Sequence, residues 1–399
     1  MKGWLLKNPS DTTLSTRPTD VVFLVISSAI CLALLSWYYA VSLSGFEPGF
    51  SNSIVGRDFI NMYVGGELIA DDNLAPLFSQ ADYMLVIREK YGEDYPIHNW
   101  SYPPTLFWPA MFFSQFSYYF ALFLWVLLGG GLMLLTAREL GLNPIWGLAI
   151  FLSPAGLINI IAGQNGFVTA ALMTLAFTYA AKRPAIAGLN WAVLTMKPHL
   201  GIVALPLLIF NRQWKVILYG GVSFLLLVGS TLLVWGVEPW ARFLSYTTRQ
   251  QRVVLDNWDG LMYLIVPTGF MQGRNWDLGV PSSYILHLVI AGLGVWLALQ
   301  AWPDRNAEMR RSLTWFVVTT FLILPYSFLY DLVVLQFVLI LWVKDPQALF
   351  IMKPSPSRIL WKLLWFLPFL SFFTAVGASI QIGPLVFAFL LWRLGSGKR

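Results

Sequence analysis

Long apolar runs separated by short polar breaks organise this chain. They fall at about 20–43, 103–137, 143–161, 165–181, 184–196, 199–211, 215–235, 282–301, 311–325, 328–343, 359–376 and 379–393. A helix of about 20 apolar residues spans the hydrocarbon core of a bilayer, so runs of this kind predict an all-α, multi-pass membrane protein with about twelve transmembrane helices. Two segments between the runs are long, about 44–102 and 236–281. In the first, Leu68-Ile69-Ala70 and the stretch from Tyr83 to Tyr91 carry apolar residues at helical spacing, which predicts amphipathic helices lying on the membrane. With no internal repeat and no low-complexity linker, a single membrane domain over 1–399 is the simplest organisation.

Composition agrees: 57% of residues are apolar and only 12% are charged. The net charge of +6 would suit a nucleic-acid partner if the bases were clustered. They are not. Threading the runs alternately from an inside N-terminus places eighteen of the 26 Lys and Arg residues on one side, among them Arg138, Lys182, Arg183, Arg212, Arg310, Arg311, Lys344, Arg358 and Arg393. This is the positive-inside bias. It predicts cytoplasmic termini, puts both long segments outside and accounts for the excess base without nucleic acid. Met1 to Asp20 is polar and too long for the n-region of a signal peptide, so no cleavage is expected. Cys31, the single cysteine, offers neither a disulfide nor a metal cluster. No glycine-rich nucleotide loop is present, so any chemistry belongs to the outer face or the membrane.

Five short segments carry polar groups to that outer side. Arg57-Asp58-Phe59 places an acid just beyond the first run. The segment 184–211 has to cross twice in about 28 residues, each arm reaching only about 20 Å, which sinks the turn Lys197-Pro198-His199 below the surface. Its ammonium is either a snorkelling helix-end lysine or a cationic floor for an anion. Gly163-Gln164-Asn165-Gly166 separates two spans, with Asn165 either capping the next helix or part of a plain turn. The prolines of Tyr102-Pro103-Pro104 suit a helix start. Pro325-Tyr326 through Tyr330-Asp331 puts an acid in the first turn of a span, where buried acids are functional candidates and a helix N-terminus stabilises them. The second long segment adds Arg249 and Arg252. Together these predict one cavity open to the outer leaflet. His98 in the first external segment and His287 in a span are less telling, and a structural role is favoured for both. Neither a metal-ligand spacing nor a Ser-His-Asp arrangement is readable.

In their order and spacing, these segments resemble glycosyltransferase family 87, the polyprenol-phosphate-mannose-dependent mannosyltransferases of the C superfamily of membrane glycosyltransferases. The resemblance runs from about Gly56 to Asp331 and includes Tyr63 and Gly65-Gly66 after Asp58, and Trp214 closing the run after His199. It implies a GT-C-like helical bundle in the bacterial plasma membrane, with its active site facing the periplasm. It also implies an acid of the first external loop as catalytic base, which falls on Asp58. Asp331 is taken as a second catalytic acid; many relatives have adjacent histidines where this chain has Tyr330-Asp331. Arg57, Tyr63, Tyr102, Gln164, Asn165, Lys197, His199, Arg249, Arg252 and Tyr330 are taken as substrate-binding.

The activity implied is transfer of a hexose, mannose first, from a polyprenyl-phosphate sugar to a hydroxyl of a glycolipid, glycan or protein acceptor, by inverting displacement. No cofactor and no metal are expected. Two other readings remain open: a flippase or transporter of lipid-linked sugars, since broken spans with midplane charge also suit transporters, and a polymer ligase using a lipid-linked donor.

Overall fold

The computed structural model describes residues 18–43, 54–257, 260, 262–303, 307–344 and 357–396. Among these residues the ordered elements are helices, in agreement with the predicted class. Helix α1 is Pro18–Leu43, and α2 (Phe59–Ala70) and α3 (Gln80–Tyr91) follow in the first long segment. Next come α4 (Phe107–Phe113), α5 (Tyr118–Glu139), α6 (Pro144–Phe151), α7 (Pro154–Ala162), α8 (Gly166–Tyr179), α9 (Pro184–Leu194), α10 (Ala204–Phe210) and α11 (Trp214–Trp235). The second long segment holds α12 (Glu238–Arg242), a π-turn at Phe243–Thr247, α13 (Thr248–Asn257), α14 (Met262–Ile265) and α15 (Gly269–Asn275). The last part is α16 (Val280–Gln300), α17 (Met309–Ile323), α18 (Val333–Lys344), α19 (Ser357–Trp365), α20 (Leu367–Ala378) and α21 (Ile382–Ser396).

Among the described residues, four helices are long and apolar enough to cross a membrane alone: Pro18–Ser42, Tyr118–Glu139, Trp214–Trp235 and Val280–Gln300. Two bent pairs raise the number to six, α6 with α7 at 59° and α19 with α20 at 71°. Each bend has a local cause. Pro154 starts α7, where the Ser153 hydroxyl accepts from the Gly156 N–H, and Pro368 lies in the first turn of α20. Proline lacks an N–H, so a helix starts there more readily than it continues through.

Burial sorts the helices into inner and outer. From Val333 to Trp342 α18 is buried on every side, and so are most of α17 and α8. A helix apolar all round belongs at the centre of a bundle. By contrast α1, α5, α11 and α16 expose Val25, Phe123, Leu226 and Leu288, an outward apolar surface of the kind lipid covers.

Two sequence expectations need correction. The run 103–137 is not one helix: it breaks at Ser114–Ser117 into α4 and α5. Helix α4 turns back along α2, and a Cβ added at Gly66 would meet the Ala110 carbonyl oxygen at 2.1 Å. Only α3 is amphipathic in the predicted sense, burying Tyr83, Met84 and Ile87. Helix α2 buries Phe59, Ile60, Met62, Val64, Leu68 and Ile69 around its circumference, in a second apolar core with Tyr95, Trp100 and Phe113. It is an interior helix because α4, Trp100 and the start of α5 enclose it.

Candidate functional site

The segments 54–58, 92–104, 163–165, 195–199, 243–257 and 324–331 come together around one cavity, tied by long-range hydrogen bonds. The Asp58 backbone N–H donates to the Ala162 carbonyl at 2.8 Å. The Trp125 indole donates to the Gln164 carbonyl at 3.2 Å, and Thr268 Oγ1 donates to the Pro325 carbonyl at 3.0 Å. They enclose an open cavity of about 880 Å³.

Asp58 occupies the N-cap position of α2 but makes no side-chain cap bond. Its carboxylate is turned into the cavity, with Gln164 Nε2 donating to Oδ2 at 3.0 Å. Oδ1 faces His98 Nε2 at 3.4 Å and Arg57 Nε at 3.8 Å. Burial acts to raise the pKa of this carboxyl. The hydrogen bond and charge of His98, the Arg57 guanidinium and the Gln164 amide outweigh it and hold Asp58 below the usual carboxylate range.

The turn that delivers Gln164 owes its shape to two glycines. Gly163 ends α7 with φ +66°, a left-handed conformation, and an added Cβ there would lie 2.7 Å from Phe59 Cβ. At Gly166 an added Cβ would lie 2.2 Å from the Tyr330 carbonyl oxygen. One glycine therefore fits the turn against the Asp58 segment, and the other fits it against the Tyr330 segment. The first N–H of α8, at Gly166, donates to Asn159 Oδ1 at 2.7 Å. Asn165 makes no cap bond; its Nδ2 donates to the Tyr102 hydroxyl at 3.4 Å.

Lys197 lines the cavity floor, and its ammonium donates to Asp331 Oδ1 at 2.8 Å. The same ammonium lies 4.9 Å from the Tyr330 ring centroid, a cation–π contact. Asp331 is fully buried and is not part of the lining; its Oδ2 accepts from the Phe328 N–H at 3.1 Å. Both oxygens of this predicted catalytic acid are thus engaged, one holding Lys197 and one closing the first turn after Phe328. His199 also lines the cavity, its ring edge-on to Tyr326.

Helix α13 borders the cavity, tied at three points. Gln250 Nε2 donates to Gln80 Oε1 at 3.0 Å, Gln251 Nε2 to Ser101 Oγ at 2.7 Å, and the Tyr284 hydroxyl to Asp256 Oδ1 at 2.7 Å. Arg252 of this helix lines the cavity, with Nε 3.7 Å from Asp256 Oδ2.

Of the residues singled out from sequence, Arg57, Asp58, Tyr102, Gln164, Lys197, His199, Arg252 and Tyr330 share this cavity. Tyr63, Asn165, Arg249 and Asp331 stand off its lining. Tyr63 donates to the Phe116 carbonyl at 2.9 Å and so fastens α2 to the turn before α5. Arg249 is exposed. His98, read as structural, is instead in contact with Asp58. Its sequence signal was its place four residues before Tyr102-Pro103-Pro104. His287 hydrogen-bonds the Ile323 carbonyl through Nε2 at 3.1 Å, as a structural histidine does. Among the described residues no group of three or more His, Cys, Asp or Glu is placed to hold a metal ion.

The model of glycosyltransferase family 87 matches residues 100–325, a stretch that contains Tyr102, the Gln164 turn, the Lys197 turn and α13. No curated protein and no solved structure matches the chain.

Proposed function

The chain belongs to glycosyltransferase family 87, and on that premise we propose that this membrane glycosyltransferase moves a hexose, with mannose the first choice, from a polyprenyl-phosphate sugar to an acceptor hydroxyl, with Asp58 as base. The observation that carries the proposal is an ionised carboxylate, the one acid among the described residues that line the cavity, beside cations and exposed apolar side chains. An acceptor hydroxyl has a pKa far above neutral and needs a base beside the anomeric carbon. The new bond forms from the acceptor oxygen to that carbon, its proton passes to Asp58, and the bond to the phosphate oxygen breaks with its electron pair on the phosphate. One base and one displacement invert the anomeric centre.

Arg252 and Lys197 face the leaving phosphate in this reading. Arg252 is the freer of the two, since its link to Asp256 is long and exposed, whereas Lys197 is bound to Asp331. Asp331 is then the anchor of Lys197 rather than a second acid. Ile97 and Val253 line the cavity and are exposed, which suits a lipid chain lying across its mouth. The short inner helices, with the long and bent ones, support about twelve crossings in a GT-C-like arrangement, the cavity on the periplasmic side of a bacterial plasma membrane. A glycolipid, glycan or protein bears the acceptor hydroxyl. Family membership weighs against a transporter.

The test is transfer by purified protein from a panel of polyprenyl-phosphate sugars, with anomeric configuration read in the product. Asp58→Asn is expected to lower turnover by about 10²–10⁴ while donor still binds. Turnover near wild type in that variant would remove Asp58 from the mechanism, and turnover only with polymer-loaded lipid would make the protein a ligase.

A further inference from the structure

The two ring nitrogens of His98 have different partners. Nδ1 lies 2.8 Å from the Pro96 carbonyl oxygen. A carbonyl only accepts, so Nδ1 carries a proton. Nε2 lies 3.4 Å from Asp58 Oδ1. A neutral ring already protonated at Nδ1 would turn a lone pair toward a carboxylate oxygen. That contact is attractive only with a proton between the two atoms.

The ring has little freedom to avoid the choice. Its side chain is 5% exposed. Its backbone N–H donates to Met84 Sδ at 3.1 Å, and the Tyr95 ring packs 5.5 Å away. Asp58 is equally constrained, by Gln164 on its other oxygen.

We propose that His98 is a positioning residue for the base, sharing one proton between its Nε2 and Asp58 Oδ1 and so keeping Asp58 ionised and turned toward the acceptor. The inference rests on Asp58 being the base. During transfer the acceptor's proton goes to Asp58, while the proton His98 contributes stays on the pair. With its pKa held below the usual carboxylate range, protonated Asp58 releases the new proton to water in the open cavity and is reset. The charged and titratable groups that face Asp58 are few. Arg57 lies on the same turn, and the phenols of Tyr38, Tyr95, Tyr102, Tyr326 and Tyr330 approach from α1, the 92–102 segment and the 324–331 segment. Arginine side chains as a class stay charged near neutral pH, and tyrosine phenols stay neutral there. Histidine is the residue type whose unperturbed side chain changes charge near neutral pH, and His98 is the one histidine in contact with Asp58 among the described residues.

Two measurements decide the matter. The first is the pH dependence of kcat for wild type, His98→Gln and His98→Asn, with folding checked by melting in detergent. Loss of the shared proton removes a cause that holds Asp58 low, so the acid limb is expected to move up by about one pH unit or more. A limb that stays in place in folded variants overturns the proposal, because a merely structural histidine would lower activity without moving it. The second needs no activity and no His98 variant that turns over. The chain has three histidines, so nitrogen-labelled histidine gives few signals. Nε2 of His98 is expected to read as proton-bearing in wild type and as bare in Asp58→Asn; a bare Nε2 in wild type overturns the proposal. Turnover surviving Asp58→Asn would instead sink the reading of Asp58 as base. An inactive Asp58→Asn, combined with an unmoved limb and a bare Nε2, would sink only the role of His98.

Discussion

Lys197 carries an ammonium to a place where 7% of the residue is exposed, and Asp331, with no exposure at all, is what makes that position tenable. Removing one member of such a pair leaves an uncompensated charge, at a cost of about 3–5 kcal/mol. Asp331→Asn and Lys197→Met are each expected to lose stability on that scale in detergent denaturation. The double variant is expected to regain much of it, since no charge is then left alone, while still using donor poorly. Donor kinetics restored to normal in the double variant would make Lys197 purely structural. None of this pairing was legible beforehand, because 134 residues separate the partners and each looked like an independent charge near a helix end. Asp58 stood out because Arg57-Asp58-Phe59 places an acid just beyond the first long apolar run. His98 did not, because a single histidine in a polar loop has no pattern of its own; only the fold sets it against an acid forty residues earlier.

The turn between α7 and α8 shows what a sequence motif means once its neighbours are known. Gly163-Gln164-Asn165-Gly166 was recognisable as a break between spans, and its candidate cap was Asn165. The cap bond comes instead from Asn159, one turn before the break. The second glycine is demanded by a carbonyl from the 324–331 segment, which no local reading of the motif contains. Gly166→Ala places a methyl carbon against backbone that cannot step aside, so it is expected to push the Gln164 and Tyr330 segments apart. Overpacking of this kind costs about 1–3 kcal/mol. Turnover should fall further than stability does, because Gln164 would no longer reach Asp58. A variant that melts and turns over like wild type would show that the turn tolerates a shift. Helices α2 and α4 teach the same lesson. Their apolar residues predicted membrane contact, whereas their burial comes from packing against each other and against Trp100.

Charge placement carries the orientation expected of the whole molecule, because positive-inside bias is additive and survives errors in individual helix boundaries. Arg138, Arg183, Arg311, Arg358 and Arg393 lie at the ends of helices remote from the cavity. There Arg311 Nη2 donates to the Leu394 carbonyl at 3.0 Å, and Arg358 pairs with Asp20 at 2.9 Å. Helix count was less legible, since among the described residues four helices reach span length unaided and the others are shorter or bent. In a Cys31→Ser background, Glu93→Cys is expected to react with an impermeant thiol reagent from outside and Ser396→Cys from inside only. The opposite pattern would invert the molecule and move the cavity to the cytoplasmic face.

Beneath the cavity the bundle is filled. The side chains from Val333 to Trp342 of α18, and those from Ser312 to Leu322 of α17 beside it, are buried. For the lipid-linked donor proposed above, a core packed in this way would confine use to the leaflet that faces the cavity. On that proposal supply becomes a matter of sidedness: donor made in the opposite leaflet would need a separate activity to carry its head group across before transfer. In sealed vesicles of uniform orientation, with donor in both leaflets, product formation should stop when the leaflet facing the cavity is exhausted, leaving about half of the donor untouched if the leaflets are equally loaded and unassisted exchange of charged head groups across hydrocarbon is slow. Complete consumption would mean that the packed core opens during turnover.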